Sequence, residues 1–146
     1  MGESVESAVR GFPVFVVTSV LGVFLLVCQA IAATGDYTKS QAVAGKALYD
    51  AHCASCHMTK LTGGAGPALA GKAFASYLKF SHITGAQLLS FVMTQMPYNA
   101  PGSLKPAEYR RILAYILQFN HYPAGSRPLT DKSATGISML PYPGKP

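Results

Sequence analysis

The chain has 146 residues, room for one small domain rather than several. Twelve Lys and Arg stand against six Asp and Glu, a formal net charge of +6. The positives are scattered, with one Arg110-Arg111 pair and no stripe interleaved with aromatics. This argues against a nucleic-acid binder and for electrostatic steering toward an acidic protein partner.

The first predicted element is apolar. Gly11 to Ala33 carries only Thr18, Ser19 and Gln29 as clearly polar members and ends in Ala30-Ile31-Ala32, an A-x-A pattern suited to signal peptidase. Its 23 residues also suffice to span a bilayer. Residues 1–33 are therefore expected to be a cleaved signal peptide or an uncleaved membrane anchor. Both put the remainder outside the cytoplasm. Beyond residue 33 eleven basic residues face four acidic ones.

Val43, Ala44, Ala47, Leu48 and Ala51 recur at helical spacing, so 38–52 reads as a helix. Gly45 sits inside it at a propensity cost, which predicts close backbone contact with another helix. The helix leads into Cys53-Ala54-Ser55-Cys56-His57. Two cysteines, two residues apart and followed by histidine, form the attachment signature of a c-type haem. Each thiol adds across one haem vinyl group to give a thioether. One helical turn sets both sulfurs along one porphyrin edge, and His57 then serves as the proximal iron ligand. A zinc site needs four ligands, usually from two separated pairs, and the only other cysteine is Cys28 in the apolar run. A thioredoxin-like pair should follow a strand, whereas a helical pattern precedes this one. A plain disulfide leaves His57 without a role.

Gly63-Gly64-Ala65-Gly66-Pro67 makes 58–71 a loop. The Pro67 carbonyl is expected to accept the other N–H of His57 and fix its tautomer. A short helix is predicted over 73–80, where Tyr77 is a candidate partner for a haem propionate, with plain packing as the alternative. Thr84 and Gln87 read as a capping box for a helix over 85–94. Pro97 disfavours helical geometry at Met96, which places Met96 in an extended loop able to offer its thioether as the sixth ligand. Met93, His82 or an open iron site are the alternatives. His52 and His121, like His82 if it is not a ligand, read as surface or satisfied core residues. Residues 95–105 form a Pro/Gly loop. Pro106 opens a strongly apolar helix running to about Asn120, and Lys105 is a poor residue to cap it. The Pro/Gly-rich segment 126–146 is expected to be an extended tail laid over the domain.

Over about residues 40–125 the chain resembles class I c-type cytochromes. Gly45, Tyr49, Cys53–His57, Gly66-Pro67-Ala68-Leu69, Met96-Pro97 and Ala114-Tyr115-Ile116 carry the likeness. The resemblance implies a small all-α cytochrome c fold of three to five helices around one covalent haem c. Its N- and C-terminal helices cross, with Gly45 meeting the Tyr115 region. Cys53 and Cys56 are then the thioether anchors, and His57 and Met96 the axial ligands. A narrower resemblance, carried by GGAGPALAGKAF (63–74) and MPYNAPGSLKPAEYRRILAYILQFNHYPAG (96–125), is to the cytochrome domains and small cytochrome partners of PQQ-dependent alcohol dehydrogenases. It implies a periplasmic, mono-haem, non-enzymatic electron carrier between a quinoprotein dehydrogenase and the respiratory chain. A membrane-anchored electron-wire subunit of a larger respiratory or photosynthetic complex is the main alternative. A five-coordinate haem enzyme or sensor is a lesser one. The expected organisation is 1–33 export or anchor segment, 34–125 cytochrome domain and 126–146 tail.

Overall fold

A computed structural model describes residues 1–2 and 34–145. The expected export or anchor segment lies outside the described residues, apart from the first two. Among the described residues no helix is long and apolar enough to cross a membrane. These residues form six α-helices and no strand: α1 Lys39–His52, α2 Ala54–His57, α3 Gly71–Ser81, α4 Gly85–Gln95, α5 Pro106–Phe119 and α6 Asp131–Ala134. One isolated bridge pairs Thr34 with Gly125. The count exceeds the expected three to five because α2 and α6 are single turns of four residues.

Local chemistry sets the boundaries. Thr38 caps α1 and Thr84 caps α4, each accepting from the backbone N–H three residues on while Gln41 or Gln87 accepts from the cap's own N–H. Pro106 starts α5, and Glu108 Oε2 accepts from Lys105 N at 2.7 Å. That bond satisfies one donor at an end where Lys105 brings no oxygen. Pro97 stops α4: Met96 is its extended C-cap, at φ −122° and ψ 153°.

The most extensive helix pair is α1 with α5. Gly45 is buried, and a methyl there would collide with the Arg111 carbonyl. The glycine thus meets α5 about one turn earlier than the Tyr115 region, where the Tyr49 ring lies tilted at 56° with its centroid 5.2 Å away. Tyr49, Leu61, Ile112, Tyr115 and Ile116 close one small core beside Cys53 and Ala54. The larger core gathers Phe74, Leu78, Leu88, Leu89, Leu113 and Leu117 from α3, α4 and α5. Truncating a fully buried leucine such as Leu113 to Ala should cost about 2–5 kcal/mol.

The segment 126–146 departs from the expected extended tail. Leu129, Ala134, Ile137 and Met139 are buried in the larger core, and Thr130 caps α6 by accepting from Ser133 N at 3.0 Å. The prolines and glycines deny it regular hydrogen bonding but leave its apolar side chains free to bury. Side chains stitch it down: Gln41 bonds both the N–H and the carbonyl of Leu129, and Tyr122 Oη donates to Met139 O at 2.7 Å. Asn120 bonds Tyr142 Oη at 2.5 Å and donates to Leu69 O at 2.8 Å, so the strap also grips the loop before α3.

Candidate haem-attachment site

Helix α1 delivers Cys53, and α2 is the single turn that carries Cys56 and His57. Cys53 N donates to Tyr49 O, and Cys56 N and His57 N both donate to Cys53 O, at 2.8, 3.1 and 2.9 Å. The pentapeptide is therefore locked helical, with two free thiols three residues apart on one turn. Burial, then the neighbouring Cys56, pushes the Cys53 thiol up to about 11. In the unmodified chain it is a neutral thiol at physiological pH.

The chain turns sharply after His57. Met58 takes φ 64° and ψ 152°, a sparsely populated conformation for a non-glycine residue. Two hydrogen bonds to its carbonyl hold it there: Tyr49 Oη donates at 2.9 Å and Leu61 N at 3.0 Å. The turn lets the glycine loop fold back over α2. Gly66 N caps Cys56 O at 3.0 Å and Gly63 N caps His57 O at 3.1 Å, satisfying carbonyls that so short a helix leaves open. A Cβ at Gly66 would lie 2.8 Å from His57 Cε1, so only glycine lets the loop lie against the ring.

His57 is 8% exposed, and its Nδ1 lies 2.7 Å from Pro67 O. A carbonyl can only accept, so Nδ1 carries a proton, and in the neutral ring Nε2 is the nitrogen with the lone pair. That is the tautomer of a metal-binding imidazole with an oriented outer partner.

Met96 stands at the far end of α4, half-buried. Its carbonyl accepts from Tyr109 Oη at 2.7 Å and from Gly102 N at 3.2 Å. Met93 packs against the larger core instead. Tyr77, on α3, is 49% exposed. Among the described residues, the hydrogen bonds join Cys53, Cys56, His57 and Pro67 into one unit, and Met96 and Tyr77 stand outside it.

Large apolar side chains remain open on the segments between His57 and Met96: Met58, Tyr77, Phe80 and Phe91. Two thiols on one turn, an imidazole whose Nδ1 is engaged so that Nε2 is left to ligate, a loop that tolerates no side chain against the ring, and uncovered apolar groups together fit a covalently held haem. Sequence reasoning missed the hydroxyls of Tyr49 and Tyr109 and the Asn120–Tyr142 pair. The available signal was tyrosine inside an apolar helical stripe, since a buried phenol needs a partner.

The family described as cytochrome c oxidase, cbb3-type, subunit III matches residues 40–116, more than half of the chain. The chain belongs to this cytochrome c family. It is a class I mono-haem c-type cytochrome, all-α, whose cofactor is covalently bound haem c, and Cys53, Cys56 and His57 are present in its CxxCH. The cytochrome is also similar to the crystal structure of the sulfane dehydrogenase SoxCD from Paracoccus pantotrophus. The identity is 26% and the TM-score 0.57, covering 75% of this chain. It spans about half, 55%, of that chain's length. No curated protein matches it significantly.

Proposed function

We propose that this cytochrome is an exported one-electron carrier with His57 and Met96 as axial ligands, accepting electrons from a periplasmic dehydrogenase and passing them toward the respiratory chain. The observation that carries the reading is the 2.7 Å contact from His57 Nδ1 to Pro67 O, which frees Nε2 for iron. Haem, when bound, supplies a single-electron iron couple whose potential Met/His ligation raises. Cys53 and Cys56 would tether it as thioethers, and His57 and Met96 would be the two protein ligands to its iron, leaving no open site for exogenous ligands. Tyr77 would reach a propionate.

The likeness to a sulfane dehydrogenase complex supports a dehydrogenase as donor. The likeness of residues 63–74 and 96–125 to quinoprotein-associated cytochromes supports a quinoprotein. The excess of eleven basic over four acidic residues beyond residue 33 supports acidic docking surfaces on the partners. A second reading, a membrane-anchored subunit of a larger respiratory complex, is favoured by the family description and by the apolar run 11–33. Osmotic shock of the native cells separates the two. Release of a shortened haem protein supports the soluble carrier, and retention of the full chain in membranes supports the anchored subunit. Co-purification from those membranes, followed by reduced-minus-oxidised spectra, then tests the donor. A quinoprotein in the same fraction supports the narrow assignment, and enrichment with oxidase or photosynthetic components alone rejects it.

A further inference from the structure

The loop from Met96 to Lys105 is tethered at few points. Residues 98–103 are all exposed, with Tyr98 at 85%. Its internal bonds are local: Ala100 N to Pro97 O, Ser103 N to Ala100 O and Gly102 N to Met96 O. These give the loop a shape without fixing it to the domain. The Lys105 end is held by Glu108 of α5, whose Oε2 accepts from Lys105 N, and Leu104 packs against both cores, while the Met96 end is held by Tyr109 of α5. Tyr109 is 2% exposed, and its hydroxyl donates to Met96 O at 2.7 Å while accepting from Leu104 N at 3.3 Å. One buried oxygen thus ties Met96 and Leu104 to a helix that is itself anchored in both cores.

We propose that Tyr109 is the positioning residue for the sixth ligand, and that its hydroxyl sets how firmly Met96 excludes small exogenous ligands from the iron. The proposal rests on the His57/Met96 reading. A thioether is a weak neutral ligand, so it holds its place only if the backbone behind it is pre-positioned. Removing the hydroxyl frees the backbone and leaves the sulfur chemically unchanged. Competition at the iron should then shift toward an added ligand.

The test uses purified holo-cytochrome titrated with imidazole in the ferric state, following the far-red thioether-to-iron charge-transfer band. Tyr109→Phe removes a single oxygen from an enclosed ring. Its expected effect is imidazole binding about five- to tenfold tighter than wild type, the scale of one lost hydrogen bond. Met96→Ala gives the affinity of the open site, and Tyr109→Phe should fall between it and wild type. Tyr122→Phe is the control: it deletes a comparable hydroxyl-to-carbonyl bond, to Met139 O at 2.7 Å, in the C-terminal segment away from both ligand candidates. It should lower thermal stability but leave imidazole affinity unchanged. Unchanged affinity in Tyr109→Phe overturns the proposal. So does an equal increase in both Phe variants, which would mark a merely structural role. Wild-type protein without the charge-transfer band, and with affinity equal to Met96→Ala, overturns the His57/Met96 reading itself and the inference with it.

Discussion

His57 and Met96 sit on segments built in opposite ways. The His57 side is a closed unit: a single helical turn, a strained residue behind it, and a glycine loop folded back so that Pro67 O meets the imidazole itself. The Met96 side is an open loop whose backbone, not its thioether, is held by α5, through the Tyr109 phenol at Met96 O and Glu108 at Lys105 N. The first arrangement orients a side chain through its own ring nitrogen. The second positions a carbonyl and leaves the thioether to find its place. Ligand exchange is accordingly expected at Met96 and not at His57.

Substitutions that disturb one side should therefore differ in kind from those that disturb the other. The largest effect is expected from Gly66→Val. Its Cβ would sit 2.8 Å from His57 Cε1, and the branched methyls would push the loop off the ring. The expected outcome is loss of most haem-loaded protein, read from the Soret-to-protein absorbance ratio. Gly102→Ala probes the other loop. There the Cβ meets nothing nearer than Met93 O at 3.7 Å, but φ is +73°. The strain should cost about 1–2 kcal/mol, lowering the thermal midpoint while haem incorporation stays normal. Normal loading in Gly66→Val would show that the loop does not brace His57.

The strap, residues 126–146, touches both sides: Tyr142 bonds Asn120 and Gly71, and Ile137 O accepts from Gly85 N at the start of α4. Tyr142→Phe removes the bonds to Asn120 Oδ1 and from Gly71 N. It should cost about 1–3 kcal/mol in chemical denaturation, with no change in imidazole binding at the iron. Alkaline titration addresses the same strap. Burial, then Tyr142, pushes the Tyr122 phenol up to about 12, above its ordinary value near 10. Because the folded value is the higher one, this contribution is complete below about pH 10 and lost as pH rises toward 12. Denaturation midpoints should fall across that window, and less so in Tyr122→Phe. The smallest effect belongs to the surface pair of Arg110 and Asp131, two bonds of 3.0 Å. The Arg110 guanidinium holds the Asp131 carboxyl below its ordinary value. The contribution is present above about pH 4 and lost on acidification through the lowered value. Asp131→Asn should cost at most about 1 kcal/mol at neutral pH.

What the sequence revealed follows the same divide. Cys53, Cys56, His57 and Pro67 lie within fifteen residues, so their geometry is local and spacing alone announces it. The stop of α4 and the start of α5 were legible because Pro97 and Pro106 act on their own backbone. Tyr109, Asn120 and Tyr142 were not legible as partners, because Met96 is thirteen residues from Tyr109, and Leu69 is fifty-one from Asn120. Periodicity marks a tyrosine as inward-facing but cannot say which distant carbonyl it finds. The strap was misread for a related reason. Proline and glycine report on backbone regularity, and burial of Leu129, Ile137 and Met139 depends on where the chain returns.

Iron-edge X-ray absorption on the ferric cytochrome tests the ligation most directly. His57/Met96 ligation predicts one sulfur scatterer at the iron, retained in Met93→Ala and replaced by a light atom in Met96→Ala. A wild-type spectrum without sulfur, or a sulfur signal lost with Met93 and kept without Met96, would contradict it.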